Sequence, residues 1–171
     1  QTEPEAPAQE ETVFPMPTGS MFGLTGRDAV LFDAAVAQKY PREDTTIVIP
    51  SLRVYGSFEE GSRTVVICDL HYDFYWDYTG DDWEWNAGGM TSFARAELET
   101  QNGAEVCTGF AIFPGGDPSD WISGECGPLA VQNADGAWVL PEPAGDWFPS
   151  DSSMLGEYLA AHGKTQLRIA E

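Results

Sequence analysis

His71 stands among three aspartates, Asp69, Asp73 and Asp77, at alternate positions of the run TVVICDLHYDFYWDY from Thr64 to Tyr78. Side chains of a strand point to alternate faces, so these four share one face, with neighbours about 7 Å apart. Carboxylate oxygens at that spacing, helped by an adjacent strand, suit calcium, whereas an imidazole suits a transition metal. Asp69, His71 and Asp73 are therefore the candidate metal ligands. Neither a CxxC nor an HxxxH spacing marks a zinc site. The competing reading is a solvated outer sheet face in a very acidic protein, and the composition favours it. No cofactor is expected.

The other face of the same run is apolar and aromatic: Val66, Cys68, Leu70, Tyr72, Phe74, Trp76 and Tyr78. It marks a core wall, and Tyr72 is the polar group on it that would line a ligand pocket or act there as an acid or base. Trp83 and Trp85 flank Glu84 in a polar stretch, and Trp121, Trp138 and Trp147 lie further on. Exposed rings beside carboxylates stack on sugars or grip peptides. Tyr72, Trp83, Trp85 and Trp121 are the candidate ligand-binding residues, with plugging of the sheet ends as the structural alternative for the tryptophans. Asp77, Asp81, Asp82 and Glu84 resemble a calcium loop in composition, but the glycine order of an EF-hand is missing, and a charged connection is the simpler reading.

Nucleophilic chemistry finds little support. The chain has no GxSxG elbow, no SxxK and only two histidines. His162, near the end of a C-terminal helical stretch, suits the helix dipole. Gly88-Gly89 and Gly115-Gly116 lack the Lys and Ser or Thr of a phosphate loop. The acidic residues are too numerous to single out a glycosidase pair. No catalytic residue is assigned.

Charge and length bound the rest. Eight Lys and Arg against 28 Asp and Glu give a net charge of −20, which phosphate backbones and anionic lipids repel. Nucleic acid is therefore excluded as a partner. A 42% hydrophobic content is too high for a disordered acidic chain, yet no apolar run is long enough to span a bilayer. Among three cysteines, Cys107 and Cys126 flank a Gly/Pro-rich loop and are the preferred disulfide in an oxidising compartment; a bond from Cys68 to either is the rival.

These residues need elements to hold them. Residues 1–18 are rich in Pro and Glu and read as an extended, solvated tail; residues 19–171 read as a single domain. Thr25, with Asp28 three residues on, is expected to cap a helix whose apolar face is Val30, Leu31, Ala34, Ala35 and Tyr40. Strands are expected over 47–57, where Pro50 marks an edge or break, and over 64–78, 90–100 and 105–113. Thr79 to Gly89 reads as a loop, and Asn102-Gly103 as a tight hairpin turn. A short helical turn over 117–127, a hairpin or helix over 129–140, and a last helix capped by Ser150 or Asp151 complete the chain.

A helix followed by VYGSFEEGSRTVVICDLHYDFYW and a GGMTSFARAELE strand resembles small bacterial secreted or lipid-anchored domains of the cystatin-like and NTF2-like type. The similar stretch runs from about Leu52 to Pro128. The resemblance implies an α+β fold, with an N-terminal helix on a curved antiparallel sheet of four or more strands and a C-terminal helix. A β-sandwich is the alternative fold. The expected function is an extracytoplasmic binding or accessory domain for a peptide, glycan or protein partner, without catalysis. The alternative is a small-pocket isomerase or dehydratase. A start at Gln1 rather than Met, together with the acidic tail, carries the expectation of secretion or lipid anchoring.

Overall fold

The computed structural model describes residues 16–39, 47–77, 83–150, 157–158 and 167–169; the side chains of 76–77, 83–88 and 167–169 lie outside that description. The chain is α+β. Helix α1 (Gly26–Ala37) precedes four consecutive antiparallel strands: β1 (Ile47–Glu60), β2 (Arg63–Asp77), β3 (Trp83–Gln101) and β4 (Ala104–Ile112). Helix α2 (Pro118–Glu125), a two-stranded ribbon of β5 (Val131–Gln132) and β6 (Trp138–Val139), and β7 (Leu167–Ile169), which pairs in parallel with β3, follow.

The sheet is covered on both faces, which a single helix on an open sheet does not anticipate. Leu31, Phe32, Ala35 and Val36 of α1 pack on one face against Val66, Cys68, Leu70 and Tyr72, joined by Tyr158. On the other, Val65 and Ile67 meet Ile122 and Cys126, with Trp121, Leu129 and Trp138 around them. The odd side of β2 is thus apolar core at its first half, not the solvated acidic face expected: Val65 and Ile67 are fully buried and Asp69 is 7% exposed.

Local chemistry explains most boundaries. Thr25 takes the extended conformation of an N-cap, but its side chain makes no capping hydrogen bond. The anchor lies one turn earlier: the Gly19 amide donates to Asp33 Oδ1 at 2.8 Å, and Thr18 caps the single 3-10 turn at Gly19–Phe22. Pro17, inside the stretch expected to be tail, is buried. The helix face is Leu31/Phe32/Ala35/Val36, with Val30 only partly buried; Tyr40 lies outside the described residues.

The hairpin between β3 and β4 is as expected, with Asn102 at φ 52° and Gly103 at φ 79°, the twist that a two-residue turn needs. The stretch 83–89, expected to be loop, instead extends β3 to Trp83. Over 129–140 the hairpin is the form taken: Asn133 Oδ1 accepts from the amides of Asp135 and Ala137. Of the expected last helix, Glu157 and Tyr158 are helical; Ser150 is not itself helical, and Asp151 and His162 lie outside the described residues.

Pro50 sits in β1, the first strand of the sheet order. The Leu52 N–H donates outward to Phe148 O at 2.9 Å, and Leu52 O accepts from the Phe148 amide at 2.8 Å. Backbone groups of residues two apart point the same way, so the N–H that Pro50 lacks would also have pointed away from β2. Residues 144–148 therefore act as a short lid on that edge, and the bridge re-enters the ladder at Leu52.

Gly127 ends the approach from α2 with φ +48°, and a Cβ there would lie 2.8 Å from the Phe58 ring. Gly127→Ala is expected to cost about 1–3 kcal/mol, from left-handed strain plus the collision. Gly103→Ala, at φ +79° with open space around it, should show the strain alone, about 1 kcal/mol. Equal losses in paired urea melts would contradict the contact.

Candidate functional site

The chemistry-bearing residues of β2 lie where the apolar cover ends. Register places Asp69 opposite Arg53, and His71 between Ser51 on β1 and Thr91 on β3. A bulge at Tyr55, between the Val54 and Gly56 pairings, sets this arrangement. Without it, counting back from the Gly61–Ser62 turn would put Val54 opposite Asp69.

Asp69 is committed to its neighbours. Its Oδ2 accepts from Arg53 Nη2 at 2.7 Å and Nε at 3.2 Å, and its Oδ1 accepts from the Tyr55 hydroxyl at 2.7 Å. Burial, then the bond to Asp69, pushes the Tyr55 phenol well above its usual range, so it stays a donor. Arg53 lies over the Trp147 ring at 4.9 Å, a cation–π contact that completes the group.

His71 forms a second, separate unit. Its Nδ1 lies 2.7 Å from Thr91 Oγ1 and its Nε2 lies 2.9 Å from Asp73 Oδ1. A carboxylate only accepts, so in the neutral ring Nε2–H donates to Asp73 and Nδ1 accepts from the Thr91 hydroxyl. Both nitrogens are then occupied, leaving no lone pair for a metal or for taking a substrate proton. The three residues expected as metal ligands are split: Asp69 turns to Arg53 and Tyr55, while His71 and Asp73 bond each other. Among the described residues no group of three or more His, Cys, Asp or Glu side chains is placed to hold a metal ion. Asp77 lies outside the described side chains.

Gly89 makes room for this unit. A Cβ there would stand 2.7 Å from His71 Cε1 and 3.0 Å from Nε2. Gly89→Ala should push the ring off Thr91 and Asp73 at a cost of about 1–2 kcal/mol. His71→Ala in the same background should recover part of the loss, a coupling that a double-mutant cycle measures. Additive losses would mean that the ring and the glycine do not meet.

The ligand-binding candidates separate as well. Trp121 belongs to a cluster of rings: it stacks on Phe93 at 5.9 Å and 17°, and meets Phe113 edge-on at 5.7 Å. Tyr55 joins through Phe93 at 6.1 Å. All four rings are partly buried, and Tyr55 connects them to the Arg53 group through Asp69. Tyr72 is on the opposite face, fully buried, with its hydroxyl donating to Ala35 O at 2.7 Å. It fills the helix–sheet contact rather than lining a cleft. Trp83 and Trp85 are strand positions of β3 beside β7, and their side chains, like that of Glu84, lie outside the described residues; so do Asp81 and Asp82.

Sequence reasoning missed Arg53 and Tyr55, and did not place Trp147 against Arg53. Arg53 and Tyr55 carry a signal, two polar residues at strand spacing opposite the aspartate run, but the bulge decides which of their neighbours meets Asp69. Trp147 arrives from sequence-distant chain and carries no local signal.

The cysteines do not pair. Cys107 packs with the α1-side core and Cys126 lies in the α2-side core, so the sheet separates them. Cys68, also on the α1 side, carries a free thiol like the other two. No family model, no curated protein and no solved structure matches the chain.

Proposed function

We propose that this chain is an extracytoplasmic binding or accessory domain of cystatin-like or NTF2-like type, which holds a peptide, glycan or protein partner and catalyses no reaction. The observation that carries the reading is the row of partly buried rings, Tyr55, Phe93, Phe113 and Trp121, next to the Arg53–Trp147 stack on one sheet face. Rings that keep one side open supply contact area at small entropic cost, and the guanidinium adds orientation. Two described groups suited to moving a proton, His71 and Tyr72, are engaged elsewhere: His71 by Thr91 and Asp73, Tyr72 by the α1 backbone. That favours binding over the isomerase or dehydratase alternative. The Pro- and Glu-rich N-terminal stretch serves as a tether. No described helix is long and apolar enough to cross a membrane.

The test is a titration with a panel of peptides and glycans, followed by tryptophan indole signals in NMR. A hit should move Trp121 and Trp147 together, and Trp147→Ala should weaken it about tenfold. Indoles unmoved across the panel would defeat the reading. Turnover of any substrate, abolished by His71→Ala, would favour the enzyme.

A further inference from the structure

The outer edge of β4 carries a second surface, distinct from the ring cluster. Gln101 and Ala104 face each other across the two-residue turn, and at the other end the Phe113 amide donates to Phe93 O at 2.9 Å. Backbone groups alternate in direction along a strand, and the extra residue Thr108 is absorbed where the β3 register shifts between Glu97 and Leu98. Counting inward from both ends, the N–H and C=O of Glu105, Cys107, Phe110 and Ile112 point away from β3. Their side chains agree: Cys107, Phe110 and Ile112 pack on the α1 face, and Glu105 pairs with Arg27 of α1 at 2.8 Å. Among the described residues no backbone partner meets this edge.

Two clefts flank it, one on each face of the sheet, and both open at Gly109 and Phe110. The α1-side cleft, about 220 Å³, is lined by Ala34, Ala37, Cys107 and Phe110, with Gln38 and Thr108 beside them. The α2-side cleft, about 180 Å³, is lined by Arg95, Glu97, Gly109, Ala111 and Glu125 as well as Phe110. Each suits one side chain rather than a whole small-molecule ligand. Gly109 keeps the second cleft open, since a Cβ there would come within 2.9 Å of Glu97 Oε2.

The clefts differ in chemistry. The first is lined by no charged side chain. In the second, Arg95 bonds Glu125 at 3.3 Å, and beyond the lining Glu60 bonds Arg95 at 3.1 Å while Arg63 holds Glu97 at 3.0 Å and Glu99 at 3.3 Å. Four carboxylates around two guanidiniums leave this side negative, on a chain of net charge −20. Successive residues of an added strand point to opposite faces, so neighbouring side chains would enter the two clefts in turn.

We propose that β4 accepts an extended peptide as an additional strand, with an apolar side chain in the α1-side cleft and the adjacent Lys or Arg in the α2-side cleft. Backbone bonds to Glu105, Cys107, Phe110 and Ile112 supply affinity, and the clefts supply selection. Charge disfavours a second copy of this chain as occupant: each copy carries −20, and β4 itself contains no Lys or Arg.

The test uses a blocked peptide of about eight alternating Val and Lys residues, its Val–Glu counterpart, and a Val–Lys peptide interrupted by proline. The Val–Lys peptide should slow hydrogen exchange at the amides of Glu105, Cys107, Phe110 and Ile112 and bind about tenfold more tightly than either control. Ala111→Arg, an exposed change at the rim of the acidic cleft, should remove that preference without altering the melt. Equal binding of the proline peptide, or amide changes confined to the Phe93–Trp121 face, would overturn the proposal while leaving the ring cluster as the binding surface. Protection of the same amides without peptide, with a dimer mass by sedimentation, would overturn it in favour of a second copy. If the β4 amides respond and the indoles do not, the edge stands and the ring-cluster reading fails.

Discussion

Tyr72→Ala is expected to remove about 3–5 kcal/mol of stability, enough to unfold a domain of ordinary stability near room temperature. Tyr72 is among the largest fully buried side chains, held between β2 and α1. Its truncation leaves a cavity at the contact on which the helix depends. The hydroxyl adds a second role. The Lys39 amide donates to Val36 O, so the Ala35 carbonyl, in the last turn of α1, is met by Tyr72 at 2.7 Å. Tyr72→Phe keeps the ring, strands that carbonyl and should cost about 1 kcal/mol. Urea melts of the two variants separate packing from capping. A loss for the alanine variant no larger than for phenylalanine would show that the ring is not the keystone of the helix–sheet contact. Retention of any ligand response by Tyr72→Phe would agree with a purely structural tyrosine.

The fold was legible where a local rule and a tertiary need coincide. The alternation of Val66, Cys68, Leu70 and Tyr72 located the α1-side core because one face of a central strand has to be apolar along its length. Asn102-Gly103 located a hairpin because few residue pairs tolerate two positive φ angles. Legibility failed where distant chain returns to the sheet. Asp69, His71 and Asp73 looked like one constellation because strand spacing places them on one face. Arg53 and Tyr55 divide it, and their reach to Asp69 depends on a one-residue bulge that no periodicity announces. Val65 and Ile67 on the same face were a sign that something covers it, outweighed in the reading by the aspartates that follow. Cys107 and Cys126 are near in sequence yet lie on opposite faces, because α2 crosses to the far side of the sheet after β4. Loop composition carries no information on which face a chain returns to.

Raising the pH should unfold this protein well before its arginines titrate. Burial, helped by the charge of Asp69, pushes the Cys68 thiol up to about 12, and burial with Glu125 pushes Cys126 up to about 11. Tyr72 and Tyr75 are driven up as well, by burial first. Each of these acids is neutral when protonated and has a folded pKa above its unfolded one. Its contribution is therefore complete below the ordinary pKa and is lost as pH climbs towards the folded value. Above about pH 9 each thiol removes about 1.4 kcal/mol per pH unit, so the two together remove about 5 kcal/mol by pH 11. That equals the whole stability of many domains, and the buried tyrosines add to it above their ordinary range near 10. Urea melts from pH 7.5 to 11 should fall with this slope, and Cys68→Ala or Cys126→Ala should each flatten it by about one thiol's share. Stability unchanged to pH 11, or a slope indifferent to both substitutions, would show that the thiols meet solvent in the native protein. The effect needs no disulfide to break: it follows from two thiols placed in two separate cores, where the folded state holds their protons.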